Sequence, residues 1–84
     1  MPYITSLIIE VLIKAKRPLS INEIVNGINS QFFNTADYDT VYGAIYREWE
    51  KDHYVIFEDI DVSPHTFFID EDYIDSNGDP IVGP

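Results

Sequence analysis

The chain has no cysteine, so neither a disulfide framework nor a thiolate metal site is open to it, and nothing marks an oxidising compartment. A cytoplasmic home is the default expectation. Cations are scarce as well: five Lys and Arg stand against fifteen Asp and Glu, for a formal net charge of −10 and a pI near 4.2. This inverts the basic footprint that phosphate binding leaves, and it disfavours nucleic acid and anionic lipid alike. No run approaches the ~20 apolar residues of a spanning helix, so no membrane partner is expected. The only histidines are His53 and His65, and they match no helical or finger-type ligand spacing, so no metal is expected. Without a thiol, or a base placed beside a nucleophile, the chain reads as non-enzymatic and free of cofactors.

What is present suffices for one small core: 84 residues, 45% of them apolar and 14% aromatic. The opening, Met1–Ile13, is apolar but lacks a positive n-region and a small-residue cleavage site, so it reads as a helix of the fold. Ile4, Leu7, Ile8, Val11 and Ala15 fall at helical spacing and predict a first helix over Tyr3–Lys16. Lys14, Lys16 and Arg17 stand at its C-terminal end, where positive charge complements the dipole, and Pro18 stops it. Ser20-Ile21-Asn22-Glu23 has the spacing of a capping box and opens a second helix, with Ile21, Ile24, Val25 and Ile28 inward and an end between Ser30 and Phe33. A third helix starts near Asp37, with Tyr38, Val41, Tyr42, Ile45 and Trp49 read as its core face. Its outer face carries Asp39, Thr40, Gly43, Tyr46, Arg47 and Glu50. Gly43 in mid-helix is open to two readings, close approach by another backbone or simple tolerance.

After His53 the pattern becomes β-branched and aromatic. Tyr54–Phe57 and His65–Ile69, separated by an acidic loop with a proline, predict a hairpin. Asp70–Asp75 is acidic around Tyr73 and Ile74, and Ser76–Pro84 holds two Gly and two Pro, so residues 71–84 read as a loosely ordered acidic tail behind a domain of residues 1–70. Asp75–Asp79 imitates the start of a calcium loop, but Pro80 stands where the turn glycine belongs, so it reads as a polar turn.

Three helices, the second opened by a capping box, followed by a two-stranded hairpin, give an α+β chain with the order of a winged helix-turn-helix. The sequence resembles the HARE-type winged helices, and more distantly the N-terminal domain of the RNA polymerase delta subunit. The likeness is carried by IEVLIKAKRPLSINEIVNGI at Ile9–Ile28, TVYGAIYREWEKD at Thr40–Asp52 and the HTFFI that ends the wing. It implies work in transcription, chromatin or restriction systems, as a DNA binder or as a docking module.

The charges on helix three and the wing separate those two roles, because a DNA reader places one in the major groove and the other along phosphates. Helix three offers Arg47 beside Glu50, with Asp39 and Asp37 at its start, and the wing carries Glu58, Asp59 and Asp61 without a cation. Residues 1–20 sum to +2, 21–51 to −3 and 52–84 to −9. The bland reading of this polarity is solubility. The functional reading is an acidic module that docks on a basic protein surface of transcription or DNA-processing machinery through Asp39, Tyr46, Arg47, Glu50, Glu58, Asp59 and Asp61, with a viral inhibitor or DNA mimic as its sharper form. The alternative is a DNA-binding regulator that uses Lys14, Lys16, Arg17 and Arg47, whereas the bland reading of Arg47, next to Glu48, Glu50 and Lys51, is weak intrahelical pairing. Apolar surface is also in excess: Ile9, Leu12 and Ile13 fall outside the inward stripe of helix one and need cover from the wing, the tail or a second copy in a homodimer. Phe32, Phe33, Tyr46 and Phe68 are further candidates for a partner patch, most of them read as completing the core and Tyr46 as the exposed one.

Overall fold

The computed structural model describes residues 4–32, 36–50 and 56–69. Helix α1 spans Ile4–Ala15. It closes on Lys16, whose φ of 55° is left-handed and whose N–H donates to the Leu12 carbonyl at 3.2 Å. A non-glycine residue in this conformation costs about 1 kcal/mol, and a cation near the last carbonyls of the helix offsets part of it.

Strand β1, Leu19–Ser20, leads directly into helix α2, Ile21–Phe32. The expected capping box forms in full: the Glu23 N–H donates to Ser20 Oγ at 3.3 Å, and the Ser20 N–H donates to Glu23 Oε1 at 3.0 Å. Arg17 Nη2 donates to the other Glu23 oxygen at 2.9 Å. The Ser20 N–H, and after it the Arg17 guanidinium, hold the Glu23 carboxyl below its ordinary value of 4.5. Helix α3 spans Tyr38–Trp49, with Asp37 as N-cap accepting from the Thr40 N–H at 2.8 Å. The Thr40 side chain, and after it that backbone bond, hold the Asp37 carboxyl below its ordinary range as well. Ahead of α3, the Asn29 amide clamps the backbone of Ala36 from both sides, accepting from its N–H at 2.6 Å and donating to its carbonyl at 3.1 Å.

Strands β2, Ile56–Asp59, and β3, Thr66–Ile69, make the wing. The antiparallel sheet has the order β1-β3-β2, with Leu19 opposite Phe67 and Ser20 opposite Thr66 on one edge, and Glu58 opposite Phe67 on the other. The sheet therefore has one strand more than the expected two-stranded hairpin. Of the expected strands, Tyr54 and Val55 lie outside the described residues and His65 precedes β3. The tail, residues 71–84, and Phe33 and His53 also lie outside them. Three helices with this small sheet form an α+β fold compatible with a winged helix.

The core gathers Ile8, Val11 and Leu12 of α1, Ile24 and Ile28 of α2, Val41, Ala44 and Ile45 of α3, and Ile56 and Phe67 of the wing. The expected division of α1 needs correction. Ile9 and Leu12 are buried, whereas Ile4, Leu7 and Ala15 of the supposed inward stripe are only partly covered. The reason is that α1 packs on α2, α3 and β3 together, so its buried sector is wider than one stripe. Cover for Ile9 and Leu12 thus comes from within the chain, and Ile13 packs at the edge of the same core.

Close helix approach falls on Gly27, not on Gly43. A Cβ at Gly27 would stand 2.7 Å from Val11 Cγ1, while one at Gly43 would meet only the far end of Arg47, at 3.4 Å. Gly27→Ala is expected to destabilise the fold by about 1–3 kcal/mol through overpacking. Gly43→Ala is expected to stabilise it by about 0.5–1 kcal/mol, as alanine does in an open helix position. Chemical denaturation of the two variants checks both signs. Because the Glu23 pKa is depressed in the fold, its contribution is present above the unfolded value and lost as pH falls through the folded one. The stability difference between wild type and Glu23→Gln should therefore shrink on acidification, and a difference that stays constant with pH would contradict the ionised cap.

Candidate binding groove

Tyr38, Tyr42 and Tyr46 recur every fourth residue, so they stack along one side of α3. Ring centroids lie 6.0 Å apart between Tyr38 and Tyr42, and 4.4 Å apart between Tyr42 and Tyr46. Trp49 continues the row, edge-on to Tyr46 at 4.8 Å and 6.2 Å from Phe67 of the wing. Its indole Nε1 donates to the Ile56 carbonyl at 2.7 Å, which joins the C-terminal end of α3 to the start of β2. Trp49 is partly buried against the core, but the tyrosines are 49%, 41% and 41% exposed in chain order.

This corrects the expected face of α3, because Tyr38 and Tyr42 are not core residues. The inward positions are Val41, Ala44, Ile45 and Glu48, and the half-exposed tyrosine row lies beside that stripe. Glu48, next to the exposed Arg47, is itself buried. No buried side-chain polar atom of the described residues lacks a hydrogen-bond partner.

Across from the tyrosines stands the wing. Alternation along β2 turns Ile56 and Glu58 to the face that carries Phe67, while Phe57 pairs with Phe68 on the opposite face at 5.8 Å. Glu58 is therefore the wing carboxylate that looks toward α3, and its side chain is only 20% exposed. Its Oε2 lies 2.8 Å from His65 Nδ1. The tyrosine row, the start of α2 at Ser20–Asn22, Glu58, Pro64 and His65 enclose a groove of about 250 Å³. That is below the ~300–1,000 Å³ of small-molecule sites, and it suits one or two side chains of a partner. Tyr46 is pushed up to about 12, first by its hydrogen bond with Tyr42, then by burial and by the nearby Tyr42, Glu58 and Tyr38.

Of the residues expected to dock a protein, Tyr46 and Glu58 meet in this groove. Asp39, Arg47 and Glu50 are exposed elsewhere on or just beyond α3, with the Glu50 N–H closing the helix onto the Arg47 and Glu48 carbonyls. Asp59 accepts from the Asp61 N–H at 2.9 Å and so shapes the wing turn, and Asp61 is exposed. The cations of the alternative set are divided. Lys14 sits 5.5 Å over the Phe32 ring, and Arg17 is ion-paired with Glu23. Lys14 and Arg17 line a hollow between α1 and α2 that does not include Arg47. Lys16 is the left-handed closing residue of α1. The groove members missed in the sequence, Tyr38, Tyr42, Pro64 and His65, had one legible signal, the four-residue tyrosine spacing on α3.

Among the described residues no cluster of three or more His, Asp or Glu could hold a metal. None of their helices is long and apolar enough to cross a membrane. Comparison with protein families, with characterised proteins and with solved structures finds no match.

Because Tyr46 has its pKa raised in the fold, the stability tied to its protonated form is complete below the ordinary value near 10 and is lost as pH rises through about 12. Ultraviolet phenolate titration should find one tyrosine ionising near 12, moved back toward 10 in Tyr42→Phe. A titration that is the same in wild type and variant would contradict the Tyr42–Tyr46 bond.

Proposed function

We propose that the chain is a non-enzymatic winged-helix interaction module that docks on a basic protein surface through its acidic wing and the exposed side of α3. The observation that carries this reading is the composition of the wing tip. In a DNA reader that loop lies along phosphates and supplies cations. Here Asp61 stands between Ile60, 66% exposed, and Val62, 42% exposed. Apolar side chains beside carboxylates suit a protein surface, where apolar contact supplies affinity and charge supplies steering and selectivity. Against phosphate the same carboxylates would repel, and no counterions would be released.

Arg47 is the sole cation among the described residues of α3 and the wing. The DNA-binding alternative has less support, because its other cations lie around the end of α1 and Arg17 is already paired. Transcription or DNA-processing machinery as the source of the partner follows from the resemblance to HARE-type winged helices. An inhibitor that presents carboxylates where DNA presents phosphates is the sharper form of the same reading.

The test is a tagged pull-down from source-cell lysate, with and without nuclease, on wild type and on Asp59→Lys/Asp61→Lys. The expected result is a stoichiometric protein partner that survives nuclease and is lost in the double variant, with folding of the variant checked by circular dichroism. Recovery of the same partner by both proteins would exclude the wing as the interface. Recovery of duplex DNA, with every partner lost after nuclease, would establish the DNA-binding alternative.

A further inference from the structure

We propose that the groove between α3 and the wing receives an arginine side chain of the partner protein, its guanidinium lying on the tyrosine row and directed at Glu58. This rests on the docking reading above and names its central contact.

The groove's chemistry selects for a flat cation. Its one wall is aromatic, and tyrosine faces attract a cation through the ring quadrupole. The opposite wall presents the Glu58 carboxylate, and no Lys or Arg lines the groove among the described residues. A carboxylate has about four acceptor positions, so the single bond to His65 leaves Glu58 able to accept from a guanidinium. The three tyrosine rings already pack on one another, with centroids 6.0 and 4.4 Å apart, which reduces what binding must immobilise. Arginine meets both walls at once, because its plane stacks on an aromatic face while its edge forks to a carboxylate. The lysine ammonium is a compact, strongly hydrated charge that can do only the second well. Nucleic acid could use the aromatic faces for base stacking, but its phosphates would meet Glu58 and the acidic wing.

The probe is a short Gly/Ser peptide carrying a pair of arginines, titrated into the full chain and followed by Trp49 fluorescence and by amide chemical shifts. Trp49 is the chain's single tryptophan and touches Tyr46, so it reports on the groove. Shifts should centre on Tyr42, Tyr46, Glu58 and His65. Replacing arginine by citrulline, neutral and of the same shape, should weaken binding about tenfold or more, and lysine should weaken it several-fold. Glu58→Gln and Tyr42→Ala should each cost a similar factor, while Glu10→Gln, at an exposed carboxylate of α1 outside the groove, should change affinity by about twofold or less. The chemical-shift map of the unaltered chain stands even if a variant folds poorly.

Equal binding of the arginine and lysine peptides, insensitive to Glu58→Gln and Tyr42→Ala but lost with the wing-tip charges, overturns the groove contact and leaves acidic docking intact. Shifts confined to the wing tip do the same. Absence of peptide binding also overturns the groove contact, and the wing-dependent pull-down then decides the docking reading independently. Tighter binding of a duplex DNA oligonucleotide than of the arginine peptide at the same salt overturns both.

Discussion

Ser20 serves two elements at once. Its backbone pairs with Thr66 at the edge of the sheet, and its side chain and N–H close the capping box of α2. A two-residue strand cannot hold itself to a sheet, and an uncapped helix start leaves orphan N–H groups. Each element therefore depends on the other at this junction. Leu19, buried beside Ser20 and opposite Phe67, adds the apolar contact that keeps both in place. The consequence reaches the groove, because the start of α2 forms its floor. Ser20 thus lines the groove at the point where it fastens α2 to β3.

Helix positions were legible because their ends carry chemistry: a capping box at Ser20–Glu23, a proline after α1, and an aspartate that caps α3. β1 was not, since two residues show no periodicity and their strand character comes only from pairing with β3. Tyr38 and Tyr42 were placed in the core because spacing alone treats an aromatic ring as apolar. A phenol ring tolerates half-exposure, which is what Tyr38 and Tyr42 show, and Glu48 takes an inward position with its polar group partnered. Gly43 drew attention as a mid-helix glycine, yet the tight contact is Gly27 against Val11, a pairing between distant residues that no local pattern contains. Glu58, Asp59 and Asp61 looked equivalent as a charge run. Strand alternation, once the register is known, sends the first toward α3 and gives Asp59 to the turn.

An aromatic row on the third helix changes what this fold offers. The outer side of that helix is where a DNA reader carries the side chains that contact bases and phosphates. Here three stacked tyrosines flank that surface on the side of the wing, bordered by Glu58 across the groove. Rigid aromatic groups near the middle of a patch, with charge around them, are the arrangement in which few contacts dominate protein association. A framework compatible with a winged helix thus carries tyrosines and carboxylates, with Arg47 the one Lys or Arg among the described residues of α3 and the wing.

Trp49 and Ile56 are seven positions apart in the chain, and the indole bond between them closes a short loop at little entropic cost. The clasp ties the last turn of α3 to the first residue of β2, so helix and wing cannot part independently at that end. Opening one wall of the groove breaks the bond that holds the other. In the language of amide hydrogen exchange, that clasp couples local opening of the last turn of α3 to opening of the first residue of β2.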